Sequence, residues 1–458
     1  MHPDTQKSAA LTAALVSSFL TPFMGSSLTV ALPTIGRQFH LDALSLNWVL
    51  TAYLLAAGMF LVPFGRLSDI VGRKKIYIIG IISYAVLSVV TAYAPTGTLF
   101  IAMRFIQGIS GAMIFGTGMT ILVSVFPPEE RGRALGLNVA SVYLGASLGP
   151  LFGGLMTQYI GWQSIFIVNA ALGLVAAAVV FLKLKGEWAQ ARGERFDIPG
   201  SLLYAVSLLL LIVGFSRLPH PTAWAIIAVS IAGITAFILY TTRVKEPVID
   251  LKLFIGNRPF SFAVSGALIN YSATFAVGFL VSLYLQYIKG FTPGQAGLML
   301  LVQPVIQTVF SPFAGRLSDK RPPDGIAAFG MGLTALGLFI LVFTGTDTPF
   351  WLIITALAIL GLGFAFFSSP NTTAAMHAVA ARSYGVASSI VGTMRLIGQI
   401  FSMGIVMIVF ALFLHGVRVT PVYHPQFLAA MRILIIIFTV VCAAGTLLRT
   451  SGRNAAPR

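Results

Sequence analysis

The chain has 458 residues, of which 57% are hydrophobic and 9% charged, with a net charge of +16 and a mean hydropathy of +0.91. A soluble domain carries about 25% charged residues, so this chain cannot cover its surface with polar groups, and lipid must be part of its solvent. No long polar stretch remains for a soluble domain, which excludes a tethered enzyme or receptor ectodomain.

A membrane-spanning helix needs about 20 apolar residues. The first apolar segment, 9–32, exceeds the roughly 7–15 residues of a signal-peptide core and is read as a retained helix. Further spans follow at 46–65, 75–94, 98–125, 134–157, 161–182, 198–217, 222–242, 259–288, 294–314, 325–345, 350–370, 384–414 and 430–449. The positive charge falls in alternate loops. Arg66, Arg73, Lys74 and Lys75 share one loop and Arg131 and Arg133 the next but one; later clusters begin at Lys183, Arg243 and Arg316, and the tail carries Arg449 and Arg453. The intervening loops hold only Arg37, Arg217, Lys289 and Arg418. This is the positive-inside pattern, with both termini cytoplasmic and an even number of spans. It assigns the charge to topology and leaves no role for nucleic acid. The single cysteine, Cys442, allows no intramolecular disulfide, and no nucleotide loop, metal cluster or nucleophile constellation points to a cofactor or to catalysis.

An internal repeat supplies the architecture. Pro63-Phe64-Gly65-Arg66-Leu67-Ser68-Asp69 returns as Pro312-Phe313-Ala314-Gly315-Arg316-Leu317-Ser318-Asp319, each copy ending an apolar helix and opening a basic loop. The separation of about 250 residues is too long for a bare six-helix repeat, and fits if the spans near 198–242 are inserted between two six-helix halves. The expected organisation of this all-α membrane protein is a tail 1–8, a first half 9–185, a linker with two inserted helices 186–257, a second half 258–450 and a tail 451–458. Two halves already supply both sides of a cavity, so a monomer suffices.

These residues resemble, over essentially the whole chain, the fourteen-helix drug:proton antiporter branch of the major facilitator superfamily. Gly65 to Lys75 is similar to its signature loop, Arg104-Phe105-Ile106-Gln107-Gly108 to its fourth-helix arginine motif, and Gly145 to Gly154 to its fifth-helix antiporter motif. The resemblance implies a secondary transporter of small amphiphilic molecules in the plasma membrane of a prokaryote. It would export by rocking between two states, with protons as the coupling ion.

The resemblance makes the signature loop a cytoplasmic gate, with Gly65, Arg66, Asp69, Gly72, Arg73 and Arg131 in the first half and Gly315, Arg316 and Asp319 in the second. Asp69 can pair with Arg73 or Arg131. Along the fifth span, Gly145, Gly149 and Gly153 recur every four residues and make a smooth face beside Pro150 and Gly154. By resemblance this face seals against a helix of the other half. Arg104 and Arg395 are costly residues, about 2.5–3.5 kcal/mol each at mid-helix, and are expected to face a cavity or a partner. Gln107 belongs to the same motif as Arg104, and Gln399 lies one turn beyond Arg395. Gln303 with Gln307, Asn270 with Thr274, and Asn138 with Tyr143 complete the expected cavity wall.

One departure limits the mechanism. Family members usually carry an aspartate in the first helix, in a pattern ending Ala-Leu-Pro; here Met24 takes its place, close to Ser27, and Thr29 replaces a usual asparagine. All thirteen Asp and Glu residues fall in tails or loops on this topology. A cavity with two arginines and no carboxylate disfavours cations, so neutral or anionic amphiphiles are the expected cargo. A metabolite importer or uniporter, a lipid flippase, and a membrane sensor or scaffold that kept the fold are the competing readings.

Overall fold

Backbone groups inside a bilayer must bond to one another, and a helix does this within a single segment. The computed structural model describes residues 3–244, 247–248, 257–379, 384–414 and 416–454; a few side chains, that of Asp319 among them, lie outside the described set. Among the described residues, 14 helical segments are long and apolar enough to cross a membrane. They are α1 (Pro3–Phe39), α2 (Ala43–Val71), α3 (Arg73–Ala92), α4 (Gly97–Val125), α5 (Pro128–Tyr159), α6 (Gln163–Lys183), α7 (Ile198–Ser216), α8 (Pro221–Thr241), α9 (Arg258–Leu283), the broken span α10 (Pro293–Leu300) with α11 (Val302–Lys320), α12 (Pro323–Leu341), α13 (Phe350–His377), α14 (Tyr384–Leu414) and α15 (His424–Asn454).

Local chemistry starts and breaks these helices. Thr96 caps α4, Asp197 caps α7, and Thr292 with Gln295 forms a reciprocal capping box on α10. Proline stands in the first turn of α5, α7, α8, α9, α10 and α12, where its missing N–H costs nothing. The break between α10 and α11 has a steric cause: the ring of Pro304 clashes with the carbonyl four residues earlier, that of Leu300, where α10 ends.

Several helices overrun the spans expected from hydropathy; α1 is 37 residues long. Hydropathy marks the part that lies in hydrocarbon, whereas the helix continues through the interface. Asp69, Asp319, Asp324 and Glu130, expected in loops, consequently stand in terminal turns of α2, α11, α12 and α5.

Two compact units divide the chain, Met1–Leu41 with Trp48–Asp250, and Asp42–Asn47 with Leu251–Arg458. The inserted pair α7–α8 falls in the first. Within that unit α1 packs on α4, α5 and α6, and α3 on α4 and α6; within the second, α9 packs on α13, α14 and α15, and α12 on α13 and α15. Each helix thus meets the counterparts of its repeat-mate's neighbours. The repeated sequence keeps its local geometry too: Ser68 Oγ donates to Gly65 O at 2.7 Å, and Ser318 Oγ to Gly315 O at 2.7 Å.

Close backbone approaches in the first unit join α1 to α5. A Cβ on Gly145 would sit 2.5 Å from Phe19 O, and one on Gly153 2.5 Å from Ser27 Cα. Three polar bonds accompany the contact, from Ser18 Oγ to Asn138 Oδ1 (2.7 Å), Ser141 Oγ to Leu15 O (2.7 Å) and Ser27 Oγ to Gly149 O (2.9 Å). Backbone cannot yield as a side-chain tip can. Gly153→Ala is therefore expected to lower the unfolding temperature in detergent, at a cost of about 1–3 kcal/mol. Gly136→Ala, on the same helix with open space around it, is expected to leave that temperature unchanged or raise it.

Candidate transport site and cytoplasmic gate

In the first unit the polar centre is Arg104, 1% exposed. Its Nη1 donates to Gln107 Oε1 and its Nε to Val49 O at 3.4 Å. The guanidinium lies 4.5 Å from the ring centroid of Tyr53 and 5.9 Å from that of Phe166. Gln107 is completed by a bond from Nε2 to Ser88 Oγ at 2.7 Å, and that hydroxyl donates to Tyr84 O at 2.8 Å. Residues of α2, α3, α4 and α6 thus enclose a cation that has no carboxylate partner among the described residues. Ring faces, an amide and a carbonyl carry its charge instead. Arg104 and Gln107 do come together, as a sealed cluster and not as an open wall.

Three other expected cavity residues of this unit are used in packing. Ser27 and Asn138 hold α1 to α5, as above, and Met24 is buried. Tyr143 is half-buried. The face of Gly145, Gly149 and Gly153 is filled by Phe19, Phe23, Ser26 and Ser27 of α1, a helix of the same unit. The regular spacing marks a close approach without naming the partner. Pro150 and Gly154 are buried beside it.

The second unit is more open. Arg395 on α14 is half-buried, with its guanidinium 5.9 Å from the ring centroid of Tyr271, and it has no carboxylate partner among the described residues. Tyr271 also meets Phe364 edge-on at 6.0 Å. Gln399, Gln303 and Gln307 are likewise half-buried. Asn270, adjacent to Tyr271, is fully buried with neither side-chain atom hydrogen-bonded, while Thr274 Oγ1 donates back to Asn270 O at 2.7 Å. An arginine and three primary amides left partly open in membrane-spanning helices are costly to place against acyl chains.

The residues expected at the gate in the first unit lie around the end of α2. Arg73 pairs with Asp69, with 2.7 Å between Nη2 and Oδ1, and donates from Nη1 to Ser124 Oγ at 2.7 Å. Arg131, the other candidate partner of Asp69, donates instead to Phe126 O at 3.0 Å, capping the end of α4. Arg66 pairs with Glu194. Gly65 has open space around it, whereas Gly72 stands in the left-handed region at φ 128°. In the second unit Gly315 lies near Ser369 and Arg316 is exposed; the Asp319 side chain lies outside the described residues.

Sequence reasoning missed one buried cation. Arg449, read as part of the basic tail, is 4% exposed within α15, where it donates to Asn371 and to Asp324 (3.1 Å). Its partners are 78 and 125 residues away, beyond any local spacing. Glu187, Gln190 and Glu194, which touch the signature loop, were missed for the same reason.

The sealed cluster is testable by a double-mutant cycle. Arg104→Leu leaves Gln107 Oε1 buried without its donor and is expected to cost about 1–3 kcal/mol. Arg104→Leu with Gln107→Leu is expected to lose less than the sum of the single changes, read from unfolding temperatures of the purified protein.

Comparison with known proteins agrees with this architecture. The family model described as Major Facilitator Superfamily matches residues 14–403. The riboflavin transporter RibZ of Clostridioides difficile is 30% identical over 396 residues, covering 85% of each chain. The methylenomycin A resistance protein of Streptomyces coelicolor is 30% identical over 420 residues, covering 88% of this chain and 86% of its own. A bacterial homologue of the human lysosomal transporter Spinster, solved inward-facing and unoccupied, superposes with a TM-score of 0.71 at 14% identity, covering 98% of this chain and 97% of the other. With fourteen membrane-length helices among its described residues, this integral multi-pass membrane protein belongs to the major facilitator superfamily of transporters.

Proposed function

We propose that the chain exports small neutral or anionic amphiphiles by alternating access, with the α2–α3 turn as its cytoplasmic gate. The observation that carries this reading is Arg395, half-open in the middle of α14 beside Tyr271 and one turn from Gln399, without a carboxylate partner among the described residues. A cavity bearing that charge has a positive potential. A cationic drug would need a buried negative charge to offset its desolvation. An anion gains from the guanidinium, and a neutral heteroaromatic gains from amide donors and acceptors and from the rings of Tyr271 and Phe364.

The acids nearest the spans stand at helix ends, Asp69 against Arg73 and Asp324 against Arg449. Proton coupling, where it operates, runs through such end groups or through a titrating substrate. The resistance protein among the relatives supports the direction of transport. The riboflavin transporter supports a second reading, movement of an uncharged metabolite, which the same cavity would suit.

Sealed vesicles containing the purified protein, loaded in turn with anionic, neutral and cationic dyes, test the proposal with and without an imposed pH gradient. Anionic or neutral dyes are expected to move, and Arg395→Ala to slow them about tenfold or more, the loss of one charge-assisted contact, without loss of folded protein. Transport restricted to cationic dyes, or unaffected by Arg395→Ala, overturns the reading.

A further inference from the structure

Between α6 and α7 the chain does not run free. Residues 187–194 lie along the signature turn and bond to it at successive points. Glu187 Oε1 accepts from Lys74 N at 2.8 Å and Glu187 Oε2 from Lys75 N at 3.2 Å. Arg73 N donates to Trp188 O at 3.0 Å, and Ala191 N to Asp69 O at 2.9 Å. Arg73 Nη2 donates to Gln190 Oε1 at 3.0 Å, and Glu194 takes Arg66. This strap supplies what the turn lacks. The N-cap of α3 is Gly72, which has no side chain to offer, so the first amides of α3 would be left to water. The Glu187 carboxylate meets two of them and adds a favourable charge at a helix N-terminus.

Gly72 also makes room for the strap. A Cβ there would lie 2.4 Å from Glu187 Cδ. The glycine of the signature loop therefore serves two ends, the left-handed turn and the seat of a carboxylate from 115 positions further along the chain. The gate arginine is held from both sides, by Asp69 on α2 and by Gln190 on the strap.

We infer that Glu187, Gln190 and Glu194 are positioning residues of the cytoplasmic gate: the strap fixes Arg73 on Asp69 and thereby favours the state closed to the cytoplasm. The inference rests on the gate reading of the α2–α3 turn. Three residues past Glu194, Asp197 caps α7 through Gly200 N at 2.9 Å and accepts from Tyr240 OH of α8 at 3.0 Å. The strap consequently ties the gate to the inserted helix pair through a tether of two residues, Arg195 and Phe196.

The test uses the full-length protein in lipid nanodiscs, with Glu187→Ala/Gln190→Ala as the variant and Glu187→Gln as a conservative companion that keeps an acceptor. Hydrogen exchange is read at the amides of Arg73, Lys74, Lys75 and Ala191. Protection in the wild type and about tenfold faster exchange in the double variant are expected, with Glu187→Gln in between. In parallel, spin labels on cysteines replacing Lys75 and Lys320, in a Cys442→Ala background, report the cytoplasmic opening. The ratio of open to closed forms is expected to rise about fivefold in the double variant, at an unfolding temperature near that of the wild type. Equal exchange in wild type and variant overturns the inference, as does lost protection with an unchanged distance distribution. Arg73→Ala separates the two levels. If it opens the protein while the strap variant does not, the gate stands and the strap fails; if neither shifts the distances, the gate reading fails with it.

Discussion

A backbone amide in hydrocarbon has no water to bond to, and this constraint shapes the whole molecule. It makes every span a helix and concentrates unpaired groups at helix ends, where the sequence places Thr96, Asp197, Asn257 and Thr292 as caps. Where the N-cap residue itself offers no side chain, a distant residue supplies the cap, as Glu187 does at the start of α3. The same shortage governs side chains. Hydroxyls in the spans bond back to carbonyls one turn earlier, as Thr274 does to Asn270 and Thr117 to Met113. Without a hydrophobic drive between helices, association depends on close contact, hence the glycine face by which α5 meets α1.

Against that background the two central arginines are instructive because they solve one problem differently. Arg104 is enclosed by Tyr53, Phe166, Gln107 and the Val49 carbonyl, which distribute its charge over groups that cost little to bury. Arg395 keeps one aromatic neighbour and remains half-open. A cation left in this state holds unspent hydrogen-bonding capacity, since a guanidinium has five donors. Structural need explains the first arrangement and does not explain the second. That asymmetry is why the proposed transport site is put in the second unit, with Gln303, Gln307 and Gln399 beside Arg395 as half-buried polar groups.

Much of the fold was legible because its physics is local in sequence. Apolar runs locate all the spans, and the repeated Gly-Arg-Leu-Ser-Asp segment fixes two turns whose serines, Ser68 and Ser318, bond alike. Helix ends were harder, since hydropathy falls before the helix does. Side-chain partners were harder still. The spacing of Gly145, Gly149 and Gly153 announces a close contact, yet only the fold identifies α1 as what fills it. Ser27 and Asn138 read as cavity residues because polar groups in a span must bond to something, and composition cannot say whether that is substrate or a neighbouring helix. Arg449 looked like tail charge because its partners, Asn371 and Asp324, are contributed by two other helices.

The inserted pair gains a physical place from the same contacts. Its outer residues, Trp224, Val229, Ile231, Ile238 and Leu239, are exposed and apolar, as a lipid-facing surface requires. Tyr204 OH donates to Gly58 O of α2 at 3.0 Å, while the Asp197 cap bound by Tyr240 ties α7 to α8. The helix pair is packed by its own contacts, Ser230 to Ser207 and Gly214 to Ile227. The pair bears on α2 directly through Gly58, and the chain entering α7 bears on it through the strap that reaches Asp69. The pair is thus fastened to the helix whose end carries Asp69, the partner of Arg73, with two residues, Arg195 and Phe196, between the strap and the cap of α7.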